Sequence, residues 1–96
     1  KMATFIVRVQ LTVERQSDYT RVRDGLLNIG FTKRIKSSDG IEYRLPNGNY
    51  KIESDRTGAE ILTAVQQVVF RIDRTPMILI AEVKPKGLTW SGLERC

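Results

Sequence analysis

The sequence predicts an α+β domain of the ferredoxin-like βαββαβ type, an antiparallel sheet with two helices on one face. Three observations predict it. An alternating run comes first (Phe5, Val7, Val9, Leu11, Val13), the period of a strand with one buried face. Two stripes at helical spacing come next, Tyr19, Val22, Leu26 and Ile29 in the first and Ile61, Val65, Val68, Val69 and Ile72 in the second. Turn-rich, strand-like sequence separates the stripes, and an apolar strand closes the pattern at 77–83. With the right-handed βαβ preference, these elements predict a four-stranded sheet in the order 4-1-3-2.

Strand one spans about 3–13, and its second face carries Ile6, Arg8 and Gln10, polar enough to meet water or a ligand. Ser17 is the expected N-cap of helix one, with Asp18 in the first turn where the helix dipole favours negative charge. The helix runs to Ile29, and Gly30 supplies the left-handed residue after it. Gly25, inside that helix, marks close packing against the sheet.

The middle contains three short strand-like pieces, 31–36, 41–45 and 50–54, with turn signals at Asp39-Gly40 and Asn47-Gly48. Two assignments compete: one bent strand paired with 50–54, or two successive hairpins. Thr57 through Glu60 reads as a capping box for helix two, which continues to about Ile72, and Pro76 enforces a break before the last strand. Pro85-Lys86-Gly87 ends regular structure, and the tail keeps Leu88, Trp90 and Leu93. Such residues cover an open sheet face or dock on another subunit.

At 96 residues the chain is one domain, 2–96, with a core of about 3–84 and a tail of 85–96. Lys1, ahead of Met2, stands outside that domain. A domain of this size buries roughly 60–65% of its unfolded surface and folds without disulfides or metals. Its longest apolar run is far short of the roughly 20 residues of a membrane span. Met2 leads straight into strand sequence, so no secretory signal is expected. A single cysteine, Cys96, fits a reducing cytoplasm.

Histidine is absent, which excludes His-based acid–base catalysis and His-ligated metals. The net charge of +5 suits a polyanionic partner. Asp39, Asp55 and Asp73 sit at turns or helix ends, where Asp bonds local backbone. Glu14 is the lone carboxylate at the end of strand one. No cofactor and no metal are implied.

Basic residues therefore carry the candidate chemistry. Arg21 and Arg23 flank Val22 on helix one and diverge by about 200° around its axis. They can straddle a groove, each offering phosphate a planar fork of donors, or stand as solvated charges paired with Asp18 or Asp24. Lys33, Arg34 and Lys36, with Arg44 and Lys51 nearby, make the middle region basic, suited to a phosphate backbone or to an edge protected from aggregation. Tyr19, Tyr43 and Tyr50 fall at core-like positions, whereas Trp90 lies outside any periodic context and could stack on an unpaired base.

Several segments, in order along the chain, carry a resemblance. They are Thr4-Phe5-Ile6-Val7, Arg21-Val22-Arg23 eight residues before Phe31, Gly40-Ile41, Arg44-Leu45, Tyr50-x-Ile52 and Ala59-Glu60-Ile61. From Thr4 to about Val83 the chain resembles the GhoS-type endoribonuclease antitoxins of type V toxin–antitoxin systems. The resemblance implies a ferredoxin-like fold and cleavage of the messenger RNA of a small membrane-damaging toxin. It makes Arg21 and Arg23 the catalytic candidates, acting on a phosphate attacked by the neighbouring 2′-OH. Arg8, Gln10, Lys33, Arg34, Lys36 and Arg44 are the candidate RNA-binding residues. Where that family has an Asp near the end of strand one, this chain carries Gln10, which offers neither a metal carboxylate nor a base. The expected partner is single-stranded messenger RNA in the cytoplasm, away from membranes. The alternative from another class is a non-catalytic module that binds RNA or protein and dimerises through its sheet face or its tail.

Overall fold

A computed structural model describes residues 2–12 and 15–96. Seven elements occur in order: β1 (Ala3–Gln10), α1 (Gln16–Asn28), β2 (Arg34–Lys36), β3 (Glu42–Arg44), β4 (Asn49–Ser54), α2 (Gly58–Val69) and β5 (Met77–Val83). The fold is α+β with an antiparallel sheet, and its strand order and helix count are compatible with the ferredoxin-like arrangement. Val13 and Glu14, the expected end of strand one and its carboxylate, lie outside the described residues.

β1 is the central strand. It pairs antiparallel with β4 on one side, Phe5 opposite Ile52 and Val7 opposite Tyr50, and with β5 on the other, Val7 opposite Ile80. Alternation sends Phe5, Val7 and Val9 to one face, where they join Val22 and Leu26 of α1 and Ile61, Val65 and Val69 of α2 in a single buried cluster. Tyr50 and Ile52 of β4 belong to the same cluster. Both helices therefore cover one face of the sheet.

The helix ends follow local chemistry, with one correction. Arg15 is the N-cap of α1 and caps nothing with its side chain, while Ser17 lies inside the first turn. The cap falls two residues before the expected one because Asp18 and Tyr19 both donate N–H groups to the Arg15 carbonyl. At the other end Phe31 N–H donates to Leu26 O and Gly30 N–H to Leu27 O, with Gly30 at φ 107°, a Schellman ending whose Phe31 buries beside Leu26. Thr57 and Glu60 form the reciprocal capping box on α2. That helix ends at Val69, and Ile72 then lies in a turn, its N–H bonded to the Val69 carbonyl. A Cβ on Gly25 would stand 2.6 Å from Val68 Cγ1, so this glycine lets α1 approach α2, not the sheet as expected.

The middle segment departs from the expected four-stranded sheet. Of the two expected pairings, the first of the two successive hairpins forms across Asp39-Gly40, while neither the second hairpin nor the bent strand paired with 50–54 does. The sheet has three strands, in the order β4-β1-β5, and β2 pairs with β3 in a separate hairpin. The expected second strand survives as one bridge, Thr32 exchanging two 2.8 Å backbone bonds with Lys51. Beyond it the chain turns on itself at 37–40, where Ser37 bonds the Asp39 carboxylate and Gly40 takes φ 86°. That bond holds the Asp39 carboxyl below its ordinary value. A tight turn satisfies β2 with its nearest neighbour in sequence before the more distant edge of β4 can.

The tail docks within the chain. Arg44 N–H donates to Glu94 O at 2.8 Å and Cys96 N–H to Glu42 O at 3.0 Å, with Tyr43 opposite Arg95. The tail thereby adds a third row to the β2–β3 hairpin.

Candidate nucleic-acid interface

The strand periodicity that buries Phe5, Val7 and Val9 leaves Thr4, Ile6, Arg8 and Gln10 on the face without helices. Register places Met77, Leu79, Ala81 and Val83 of β5 beside them on one side, and Asn49, Lys51 and Glu53 of β4 on the other. Met77 and Leu79 are 60% and 64% exposed, so most of this face is open.

At the Thr4 end the face is walled. The β2 end and its turn rise on one side and the start of the tail on the other, enclosing a cleft of about 1050 Å³. Its lining includes Lys36 from β2, Lys51 from β4, and Lys84 and Lys86 from the segment after β5, and contains no carboxylate among the described residues. Lys51 pairs with Glu53 at 3.3 Å. Lys36, Lys84 and Lys86 have no ion-pair partner among the described residues.

Two details define the wall. Gly87 N–H donates to Lys84 O at 2.8 Å, closing a turn in which Lys86 takes φ 61°. A left-handed conformation costs a residue with a Cβ about 1–2 kcal/mol, and such strain clusters at functional positions. Trp90 also lines the cleft and meets the Tyr43 ring edge to face, centroids 5.6 Å apart at 63°.

The residues predicted from sequence separate into groups. Lys36 belongs to the cleft. Arg8 and Gln10 share the open face farther along β1 and line a shallow groove with Gln16, Tyr19 and Asn47. Arg23 and Lys33 meet in a narrow groove beside Tyr50. There the Lys33 ammonium donates to Pro46 O and Asn49 O, each at 2.9 Å, and lies 4.6 Å from the Tyr50 ring centroid. Burial, with Arg23 and Arg44 adding repulsion, pushes Lys33 down to about 8. Burial also pushes Tyr50 up to about 12. Lys33 thus clasps the 46–49 turn and has one donor left.

Arg21 pairs with Asp18 at 3.8 Å and Arg23 with Asp24 at 3.2 Å, so the arginines of α1 carry separate carboxylates. Arg34 and Arg44 stand directly opposite each other in the hairpin, where like charges repel, and each is drawn to a carboxylate: Arg34 to Glu42 at 3.6 Å, Arg44 to Glu94 at 3.9 Å. Tyr50 and Tyr19 pack with the core as expected, whereas Tyr43 lies outside it. Tyr50 is buried, Tyr19 Oη accepts from Leu11 N–H at 3.0 Å, and Tyr43 supports Trp90.

Lys84 and Lys86 are site residues that sequence reasoning misses, because they come after the last periodic element. The Lys-Pro-Lys-Gly composition is the available signal: a turn carrying two cations. Compared with known families and with curated proteins, the chain matches no family model and no curated sequence. Fold and site define a small α+β domain with a cation-lined cleft on its open sheet face.

Proposed function

We propose that this protein is a cytoplasmic RNA-directed domain of the antitoxin type, binding single-stranded RNA on the open side of its sheet and cutting it. The observation that carries the RNA reading is the cleft lined by Lys36, Lys84 and Lys86, which have no carboxylate partner among the described residues, and by Lys51, which is paired with Glu53. Lysines unopposed by acids attract phosphates through the solvent. Cleavage rests on the resemblance to GhoS-type antitoxins. The 2′-oxygen attacks the adjacent phosphorus, the bond to the 5′-oxygen breaks, and a 2′,3′-cyclic phosphate and a 5′-hydroxyl result. The proton of the 2′-OH passes to solvent and the leaving oxygen takes one from solvent. Arg21 and Arg23, on the helix side, would stabilise the pentacoordinate charge where the RNA strand passes from the groove of Arg8 and Gln10 over the Gln16, Tyr19 and Asn47 edge that this groove shares with the groove of Arg23. With no histidine in the chain, the planar guanidinium is the fitting group.

A non-catalytic RNA-binding module is the second reading. It is favoured by the separate carboxylate partners of Arg21 and Arg23. Dimerisation would then use the sheet face, where Met77 and Leu79 stand exposed, since the tail is paired with β3.

End-labelled single-stranded RNA, incubated with the protein under chelation, tests both. Fragments ending in cyclic phosphate, abolished by 2′-deoxy substitution at the cut, are expected of the nuclease. A mobility shift without fragments leaves the binding module. An RNA neither shifted nor cut overturns the proposal.

A further inference from the structure

The cleft at the Thr4 end of the open face contains the chain's one tryptophan beside Lys36, Lys84 and Lys86, which have no ion-pair partner among the described residues. We infer that the cleft holds an unpaired nucleotide of the RNA, its base against the Trp90 indole and its phosphates against Lys36, Lys84 and Lys86; this rests on the proposal that the protein binds single-stranded RNA. Three observations converge on it. Trp90 is half-buried and braced by Tyr43, so the ring is presented in a set orientation. An edge-to-face contact engages at most one face of the indole, which leaves another for a base. The lysines come from two separate segments, β2 and the turn after β5, and meet at this cleft.

A volume of about 1050 Å³ exceeds what one base needs and leaves room for its sugar and phosphates. A base stacked within a duplex offers no free face to an indole, so the site selects single strands. The cleft also continues onto the open sheet face. From Thr4 to Gln10, β1 covers about 20 Å and ends at Arg8 and Gln10, so a strand leaving the cleft meets a further cation. That continuity favours a polymer over a free mononucleotide. Lys86, held at φ 61°, gives the turn its shape while carrying one of the charges.

Trp90 is the only tryptophan, so its emission reports the cleft directly. An eight-nucleotide oligouridylate, titrated into the full chain, is expected to quench it saturably. Lys84→Ala with Lys86→Asn should weaken that affinity at least tenfold, and asparagine tolerates the left-handed backbone, so folding is kept. Trp90→Leu should weaken binding about 5- to 100-fold by mobility shift, and Trp90→Tyr should restore part of the loss. If the oligonucleotide shifts the protein while Trp90 emission stays constant, and the lysine variant binds within twofold, RNA lies elsewhere. The inference then fails and the RNA reading survives. Duplex RNA or uridine monophosphate binding as tightly as the oligonucleotide also overturns it. If no RNA binds at all, both fall together.

Discussion

The two faces of this sheet share apolar residues from β5, but they differ in what β1 and β4 contribute and in what covers them. Phe5, Val7 and Val9 lie under both helices and are buried. On the other side of the same strands Ile6, Met77, Leu79, Ala81 and Val83 are also apolar, yet Met77 and Leu79 remain mostly in water. Apart from Glu82 near its end, β5 is apolar on both faces, so its composition cannot tell which face is closed. Coverage decides that, and the hairpin and tail cover the open face at one end only. An apolar floor with cations along its rim suits a ligand that has flat rings and charged linkers.

The difference is sharpest in stability. Leu26→Ala empties a site on the covered face and should cost about 2–5 kcal/mol, whereas Leu79→Ala on the open face should stay within about 0.5 kcal/mol. Urea midpoints of the two variants check this, and a large loss from Leu79→Ala would mean that the open face is covered in solution.

Activity should divide the other way. Arg21→Ala and Arg23→Ala should each lower cleavage by about ten- to a thousandfold while costing at most about 0.5 kcal/mol of stability, since both side chains are exposed. Arg→Lys should be impaired at either position because an ammonium lacks the two-pronged fork. Parental cleavage rates in both alanine variants would leave the pair as surface charge.

Salt separates the cleft from the rest of the basic surface. Removing Lys36, Lys84 and Lys86 together should reduce the slope of log affinity against log salt by about 2 for a single strand. An unchanged slope would place the phosphate contacts outside the cleft.

The smallest expected effect belongs to Lys33. Its folded-state value of about 8 lies below its ordinary 10.5, so between those limits the unfolded chain holds the proton that the folded chain has released. Folding stability from this group therefore rises as pH increases above about 8. Tyr50 works oppositely, losing stability only above its ordinary value of 10. Comparing the parent with Lys33→Met between pH 7 and 9.5 isolates the lysine, and parallel stability curves would rule the depressed value out.

Much of the fold was legible. The alternation of β1, the stripes of α1 and α2, the Gly30 ending and the Thr57–Glu60 box all depend on residues within a few positions of one another. Of the site, Arg8 and Gln10 are legible on the second face of strand one from its alternation, Lys36 only as one of a basic run, and Trp90 stands out for lacking a period. Lys33 was misleading, because a basic residue beside other basic residues gives no sign that two carbonyls will hold its ammonium.

By itself the sequence determined which segments become helices and strands and which side of each is apolar, because those properties arise from side chains three or four apart on a helix and two apart on a strand. Only the tertiary structure decided that β2 leaves β4 after one bridge to pair with β3, and that the tail returns to the edge of β3. It alone gathered Lys36, Lys51, Lys84 and Lys86 around one cleft. Choice of strand partner is a competition between segments far apart in the chain. Backbone hydrogen bonds look alike wherever they form, so the winner is set by loop closure and by the packing that the whole fold permits.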